Sequence, residues 1–343
     1  MTTVARFPLA LAAAALLTAA TSLAASPLIG DDEADARDEP HVGPPRAVSP
    51  VRKLAGGFKF TEGPAWDGAG TLYFSDLPNR TLHRWTEADG VELLRTGAAF
   101  SNGIDVDRAG RLAFCDASGH VVRRAVDGSE TTLADRCGDQ PLGVPNDIWI
   151  GPDGAVYFTL PRDRRRRRDG EKPRPDGKLY ATVCRIDPKD GTVRDLDPDD
   201  AFVNGPNGIV GSADGRTLYL ADPPARACWA YDLGPDGALS NRRKAADKAS
   251  DGLTRDERGN LYVTGPDGVL IYSPAGKRIA SVAIPERPAN MTFGGPDGRT
   301  LFVTARTGLY AVELNVRGDR PAAKLRPAPP GAVINSLNQD PTE

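Results

Sequence analysis

The stretch AsnGlyIleValGlySerAlaAspGly at residues 207–215, followed two residues later by the run LeuTyrLeuAla at 218–221, decides how the chain is read. It opens on a polar residue, passes through a short apolar segment, closes on a glycine and resumes as a β-type run. Asp-Gly is a tight-turn pair, because glycine takes positive φ without steric cost. β-Branched and aromatic residues suit a pleated, packed surface. The unit reads as strand, tight turn, strand.

Five further copies occur: GluGlyProAlaTrpAspGlyAlaGly from Glu62, AsnGlyIleAspValAspArgAlaGly from Asn102, AsnAspIleTrpIleGlyProAspGly from Asn146, AspGlyLeuThrArgAspGluArgGly from Asp251 and AsnMetThrPheGlyGlyProAspGly from Asn290. In every copy a glycine stands eight residues after the first polar residue: Gly70, Gly110, Gly154, Gly215, Gly259 and Gly298. A β-type run follows each glycine, such as LeuTyrPheSer, ValTyrPheThr or LeuPheValThr. A repeat period near 40–45 residues matches one four-stranded propeller blade. Six copies predict an all-β, six-bladed β-propeller over residues 48–320, with antiparallel blades around a central channel. Abundant glycine (37) and proline (30) suit so turn-rich an architecture. The interval after Asn146 is 61 residues against 44 on either side, and the excess falls on residues 161–177, ProArgAspArgArgArgArgArgAspGlyGluLysProArgProAspGly. That composition reads as a surface loop.

Residues 1–25 read as a secretory signal: Arg6, an apolar run from Phe7 to Leu17, and small residues for cleavage around Ser22 to Ala25. The run is too short for the roughly 20 apolar residues of a membrane span. Residues 26–47 are acidic and proline-bearing and read as a disordered linker, and residues 321–343 as a proline-rich tail. The chain is therefore expected to be exported, periplasmic or secreted, without stable membrane insertion, and monomeric. A net charge of −3 gives no general reason to expect nucleic-acid binding. The four cysteines, Cys115, Cys137, Cys184 and Cys228, are widely spaced, which argues against a zinc cluster or a redox motif. Export permits disulfides. All three full pairings stay open, as does plain burial of Cys115 and Cys184 in strands.

The innermost strand of each blade lines the channel, so the residue just before it sits at one rim. Six residues converge there: Glu62, Asn102, Asn146, Asn207, Asp251 and Asn290. Any one of them could be a turn-capping Asx residue. As a set, an oxygen-rich ring with two carboxylates suits one hard divalent cation.

Several of these segments, GluGlyProAlaTrp, ProAsnAspIle, GlyProAsnGlyIle with AspGlyArgThrLeuTyrLeuAlaAsp, SerAspGlyLeu and MetThrPheGlyGly, resemble the SMP-30/gluconolactonase/luciferin-regenerating family over about residues 55–315. The resemblance implies a six-bladed propeller with one metal ion, calcium or zinc in different members; calcium is favoured here, with zinc and magnesium as alternatives. It implies Glu62, Asn207 and Asp251 as metal ligands, Asp251 also as the candidate base, and Asn146 and Asn102 as substrate contacts. Two departures concern the substrate side: Val144 stands where some members carry arginine, and Leu160-Pro161 leads into the arginine run where AspPro is usual.

The implied activity is metal-assisted hydrolysis of a small-molecule sugar lactone, with Asp251 taking the proton from the attacking water. His41 lies in the linker, and His83 and His120 fall on outer strands, which disfavours a histidine dyad. No GxSxG elbow occurs, which disfavours a serine hydrolase. The competing reading is a non-catalytic ligand- or partner-binding propeller of NHL- or YncE-like type. By chain direction the arginine loop should emerge on the Asn146 face, where Arg162, Arg164, Arg165, Arg166, Arg167 and Arg168 would form an anion-binding cluster beside the channel.

Overall fold

A computed structural model describes residues 43–97, 99–161, 181–197, 203–248 and 251–319. They form six four-stranded antiparallel sheets, each a repeat of the sequence, and one small ribbon. Blade one is built from Thr61–Trp66, Leu72–Asp76, Thr81–Thr86 and Gly90–Thr96, and blade two from Ser101–Val106, Leu112–Asp116, His120–Arg124 and Glu130–Ala134. Blade three has Ile148–Ile150, Val156–Leu160, Thr182–Ile186 and Val193–Asp195, and blade four Ile209–Gly211, Thr217–Asp222, Ala227–Leu233 and Leu239–Ala246. Blade five has Leu253–Arg255, Leu261–Thr264, Gly268–Tyr272 and Arg278–Ala283. Blade six takes Pro288–Gly294, Thr300–Ala305 and Gly308–Glu313 from the end of the domain and its fourth strand, Arg52–Gly56, from the beginning. That pairing closes the ring, which leaves no unpaired blade between first and last. No helix among the described residues is long and apolar enough to cross a membrane.

The first strand of each blade packs against the first strand of the next, and that of blade six against that of blade one. The core lies between blades: Tyr262 of blade five meets Phe293 of blade six edge to face, with ring centroids 5.1 Å apart. Gly154 and Gly215 show why glycine recurs at the strand turn: both adopt positive φ, 87° and 71°, where a side chain would clash with its own backbone.

The sequence reading places each leading polar residue just before its strand. This holds for Asn146, Asn207 and Asp251, but Glu62, Asn102 and Asn290 lie inside longer first strands. The ladder is irregular at those places, between Glu62 and Ala65, Ser101 and Ile104, and Pro288 and Asn290. The local kink lets these three residues reach the ring although pairing begins before them.

Cys137, in the ribbon of Arg136–Cys137 with Gln140–Pro141, is disulfide-bonded to Cys184 on the third strand of blade three. Cys115 and Cys228 are free and buried. Of the pairings left open by the sequence, the structure has this one bond; Cys184 is paired as well as buried. The signal segment 1–25, nearly all of the 26–47 linker, the 321–343 tail and Arg162 to Arg168 lie outside the described residues.

Candidate functional site at the channel mouth

The dipeptides that open four of the repeats are packing devices. A Cβ on Gly208 would stand 2.2 Å from the backbone oxygen of Asp251, and one on Gly252 2.0 Å from Asn290 Oδ1. On Gly63 it would meet the Asn102 oxygen at 2.2 Å, and on Gly103 the Asp147 Oδ1 at 2.4 Å. Each glycine thus clears space for the start of the next blade. Hydroxyls near the ends of the second strands fix the same backbones. Ser75 Oγ donates to Asn102 O at 3.0 Å, Thr159 Oγ1 to Asn207 O at 2.7 Å and Thr304 Oγ1 to Asn290 O at 3.2 Å, while Asp251 N–H donates to Thr264 Oγ1 at 3.2 Å. The ring is therefore set by close glycine approach and by hydroxyl pins from blades one, three, five and six.

Glu62 is 5% exposed, and among the described residues no Lys, Arg or His forms an ion pair with it. Its carboxylate accepts the Gly63 N–H at 2.8 Å, and the Asn290 side chain favours its ionised form. Burial, then the charges of Asp251 and Asp147, push its pKa well above the ordinary glutamate range. Asp251 is half-buried. Burial raises its pKa, partly offset by a hydrogen bond from the Asn207 side chain and by the charges of Arg287 and Arg306. Asn207 and Asp251 line a cavity of about 390 Å³ together with Phe60, Pro223, Arg287 and Arg306. Asn102 and Asn146 join the ring through their backbones: Gly103 N–H donates to Asn146 O at 2.9 Å. Asn146 N–H in turn donates to Thr159 O at 2.9 Å, so Pro161 leaves blade three at the Asn146 end.

Three site residues were missed in the sequence. Asp147, hidden behind Asn146, is 7% exposed. It accepts Ile148 N–H at 3.0 Å, Ile209 N–H at 3.3 Å and Asn290 Nδ2–H at 3.3 Å, and burial pushes its pKa up to about 7. The available signal was its place in the repeat, where Gly63, Gly103, Gly208 and Gly252 stand in other copies. Arg287 and Arg306 stand at the mouth but outside the repeated segments, and only the fold brings them to Asp251.

Among the described residues, no group of three or more His, Cys, Asp and Glu side chains stands ready to hold a metal. The donor set at the ring is instead the Glu62 and Asp251 carboxylates with amides, beside the Asp147 carboxylate already engaged by Ile148, Ile209 and Asn290. The charge of Asp251 adds to the cost of ionising Glu62, which has no basic ion-pair partner, and a cation between oxygen donors relieves that cost. The residues present fit a hard divalent ion.

Residues 60–307 match the family described as SMP-30/Gluconolactonase/LRE-like region. The chain belongs to this family. It is 26% identical over 300 residues to a gluconolactonase of Zymomonas mobilis, covering 79% of this chain and 83% of that protein. It is 29% identical over 259 residues to a pentonolactonase of Haloferax volcanii, covering 72% and 81%. Among solved structures, a gluconolactonase of Xanthomonas campestris superposes with a TM-score of 0.67 at 29% identity, over 77% of this chain and 89% of that one.

Proposed function

We propose that this family member hydrolyses a sugar lactone at the channel mouth with the help of one divalent cation. The observation that carries the reading is the mouth cavity lined by the ring residues Asn207 and Asp251, with the Asp251 charge felt by the buried carboxylate of Glu62. The relatives named as lactonases support the substrate class.

Glu62, Asn207 and Asp251 are the residues that would hold the cation, with calcium favoured for an all-oxygen set and zinc or magnesium as alternatives. When bound, it would polarise the lactone carbonyl and favour negative charge on that oxygen. Asp251 faces the cavity, and its carboxylate oxygen is the group placed to accept a proton from the attacking water. The Asn207 side chain favours the ionised form of Asp251, the form that can accept a proton. Asn146 and Asn102 are the substrate contacts of this reading. Phe60, Pro223 and Pro266 give the cavity an apolar wall. Export belongs to the same proposal: the pattern of residues 1–25 and the Cys137–Cys184 bond both suit an oxidising compartment.

Titration calorimetry with calcium on chelator-treated protein tests the metal side. One site per chain is expected in the wild type, and sharply weakened binding in Glu62→Gln and Asp251→Asn. Full-strength binding in both variants would overturn the ligand assignment.

A further inference from the structure

Blade six contributes two arginines to the mouth cavity, one from each side of its first hairpin. Arg287 directly precedes the strand Pro288–Gly294, and Arg306 occupies the turn between Thr300–Ala305 and Gly308–Glu313. Both are exposed, and among the described residues neither forms an ion pair. The nearest acid in sequence, Glu286, is already engaged: it accepts Lys53 Nζ at 3.0 Å, Thr307 N–H and Oγ1–H at 2.8 Å each, and Tyr310 Oη–H at 2.6 Å. Asp251 faces the same cavity and feels both positive charges, but no salt bridge forms between them. Two guanidinium groups therefore border a polar pocket with their forked donors unspent on protein acids.

The setting of Arg306 adds a second observation. Its φ is 47°, in the left-handed region that a side chain enters at a cost. Blade two places glycine in the equivalent turn, at Gly119 (φ 86°), and blade five opens its third strand on Gly268 (φ 152°), while blades one and four place Arg80 and Arg226 in the turn. The turn conformation alone thus does not single Arg306 out. What does is its company: of these three arginines it alone lines the cavity with Asn207 and Asp251. Its guanidinium lies 5.6 Å from the Phe60 ring centroid, a contact that holds it over the cavity wall.

We infer that Arg287 and Arg306 form an anion subsite, and that the substrate is an aldonolactone carrying a second, negatively charged group away from the ester. The inference rests on the lactonase reading of the previous section and specifies its substrate. The ring would hold the lactone carbonyl and hydroxyls at Asp251 and Asn207, which line the same cavity. The distal carboxylate, phosphate or sulfonate is taken by the forked donors of the arginine pair, which match such groups in geometry and charge.

The test compares full-length wild type with Arg287→Gln, Arg306→Gln and the double variant. The substrates are δ-gluconolactone, its 6-phosphate, and a lactone of glucaric acid; the phosphate and carboxylate arms show which anion is preferred. The readout is the ratio of kcat/KM for the anionic lactones to that for δ-gluconolactone. The double variant should lower this ratio by roughly tenfold or more, the size of one or two lost charge-assisted bonds. The salt dependence of the anionic rate should flatten with it. An unchanged ratio overturns the subsite, including the case in which all rates fall together because the arginines act only on Asp251. Should Arg306→Gln fold poorly, Arg306→Gly keeps the left-handed turn and removes the charge. Calorimetry with 6-phosphogluconate and gluconate separates the two levels of the proposal. If the wild type hydrolyses no lactone but binds the phosphate tightly and the double variant does not, the subsite stands and the lactonase reading falls. If the wild type binds both products alike, the subsite falls.

Discussion

Asn290 donates its Nδ2–H to Asp147 Oδ2 at 3.3 Å, joining two residues 143 positions apart and tying blade six to blade three, its opposite across the channel. Asp147 also takes two backbone N–H groups, from Ile148 and Ile209, so one carboxylate links blades three, four and six at the ring. The neighbouring ring residues are thereby held in place.

Removal of that carboxylate should be felt in stability. Asp147→Ala leaves the Ile209 N–H and the Asn290 amide without this acceptor in a buried site, a loss on the order of 2–4 kcal/mol. Denaturant unfolding checks it. A midpoint equal to that of the wild type would show that the cross-channel bond carries no weight.

Gly208 and Gly252 should resist even a methyl group. Their added Cβ atoms would meet Asp251 O at 2.2 Å and Asn290 Oδ1 at 2.0 Å. Gly208→Ala or Gly252→Ala must push neighbouring blades apart, with an expected cost of about 1–3 kcal/mol and a fall in lactone turnover as Asp251 shifts. Gly143→Ala is the control, since nothing lies within 4 Å of its added Cβ and its φ is not positive. Equal stability in all three variants would contradict the close approach.

The Cys137–Cys184 bond joins residues 47 positions apart and encloses Asn146 and the whole second strand of blade three. The double variant Cys137→Ser/Cys184→Ser should lose about 2–4 kcal/mol. Thiol titration of the unfolded, unreduced protein should count two free thiols, Cys115 and Cys228. Four thiols in protein recovered from an oxidising compartment would contradict the bond.

Glu286 fastens the ring closure, because its partners Lys53 and Tyr310 lie on the two strands that join the ends of the domain. Burial alone would raise its pKa, but the bonds from Tyr310, Thr307 and Lys53 outweigh it and hold the carboxyl down at about 2. A depressed acid stabilises the fold above its ordinary range and loses that contribution as pH falls toward the folded value. Glu286→Gln should cost on the order of 1–3 kcal/mol at neutral pH, and the gap to wild type should narrow below about pH 4. A gap that stays constant down to about pH 2 would contradict the latch.

The repeat was legible because strand and turn chemistry are local. Eight-residue offsets, turn glycines and β-type runs recur whatever lies around them, and they place Glu62, Asn207 and Asp251 on one ring. What the repeat could not show is what reaches the ring from outside its register. Asp147 stands where four other copies carry glycine, and was overshadowed by Asn146. Arg287 and Arg306 belong to no repeated segment, and their approach to Asp251 depends on the closure of blade six. The space beside the glycines that follow the leading residues is claimed by the next blade, a contact no single repeat encodes. The disulfide was beyond the sequence for the same reason, since it depends on where a two-residue ribbon folds back.

The most direct test is the rate of δ-gluconolactone and acidic-lactone hydrolysis, followed by acid release, in chelator-treated protein before and after calcium, zinc or magnesium is returned. The protein should be inactive when stripped, regain turnover with a divalent ion, and fail to regain it in Asp251→Asn despite a wild-type unfolding curve. Undiminished hydrolysis by the stripped protein, or full recovery in Asp251→Asn, would contradict a cation-assisted lactonase centred on Glu62, Asn207 and Asp251.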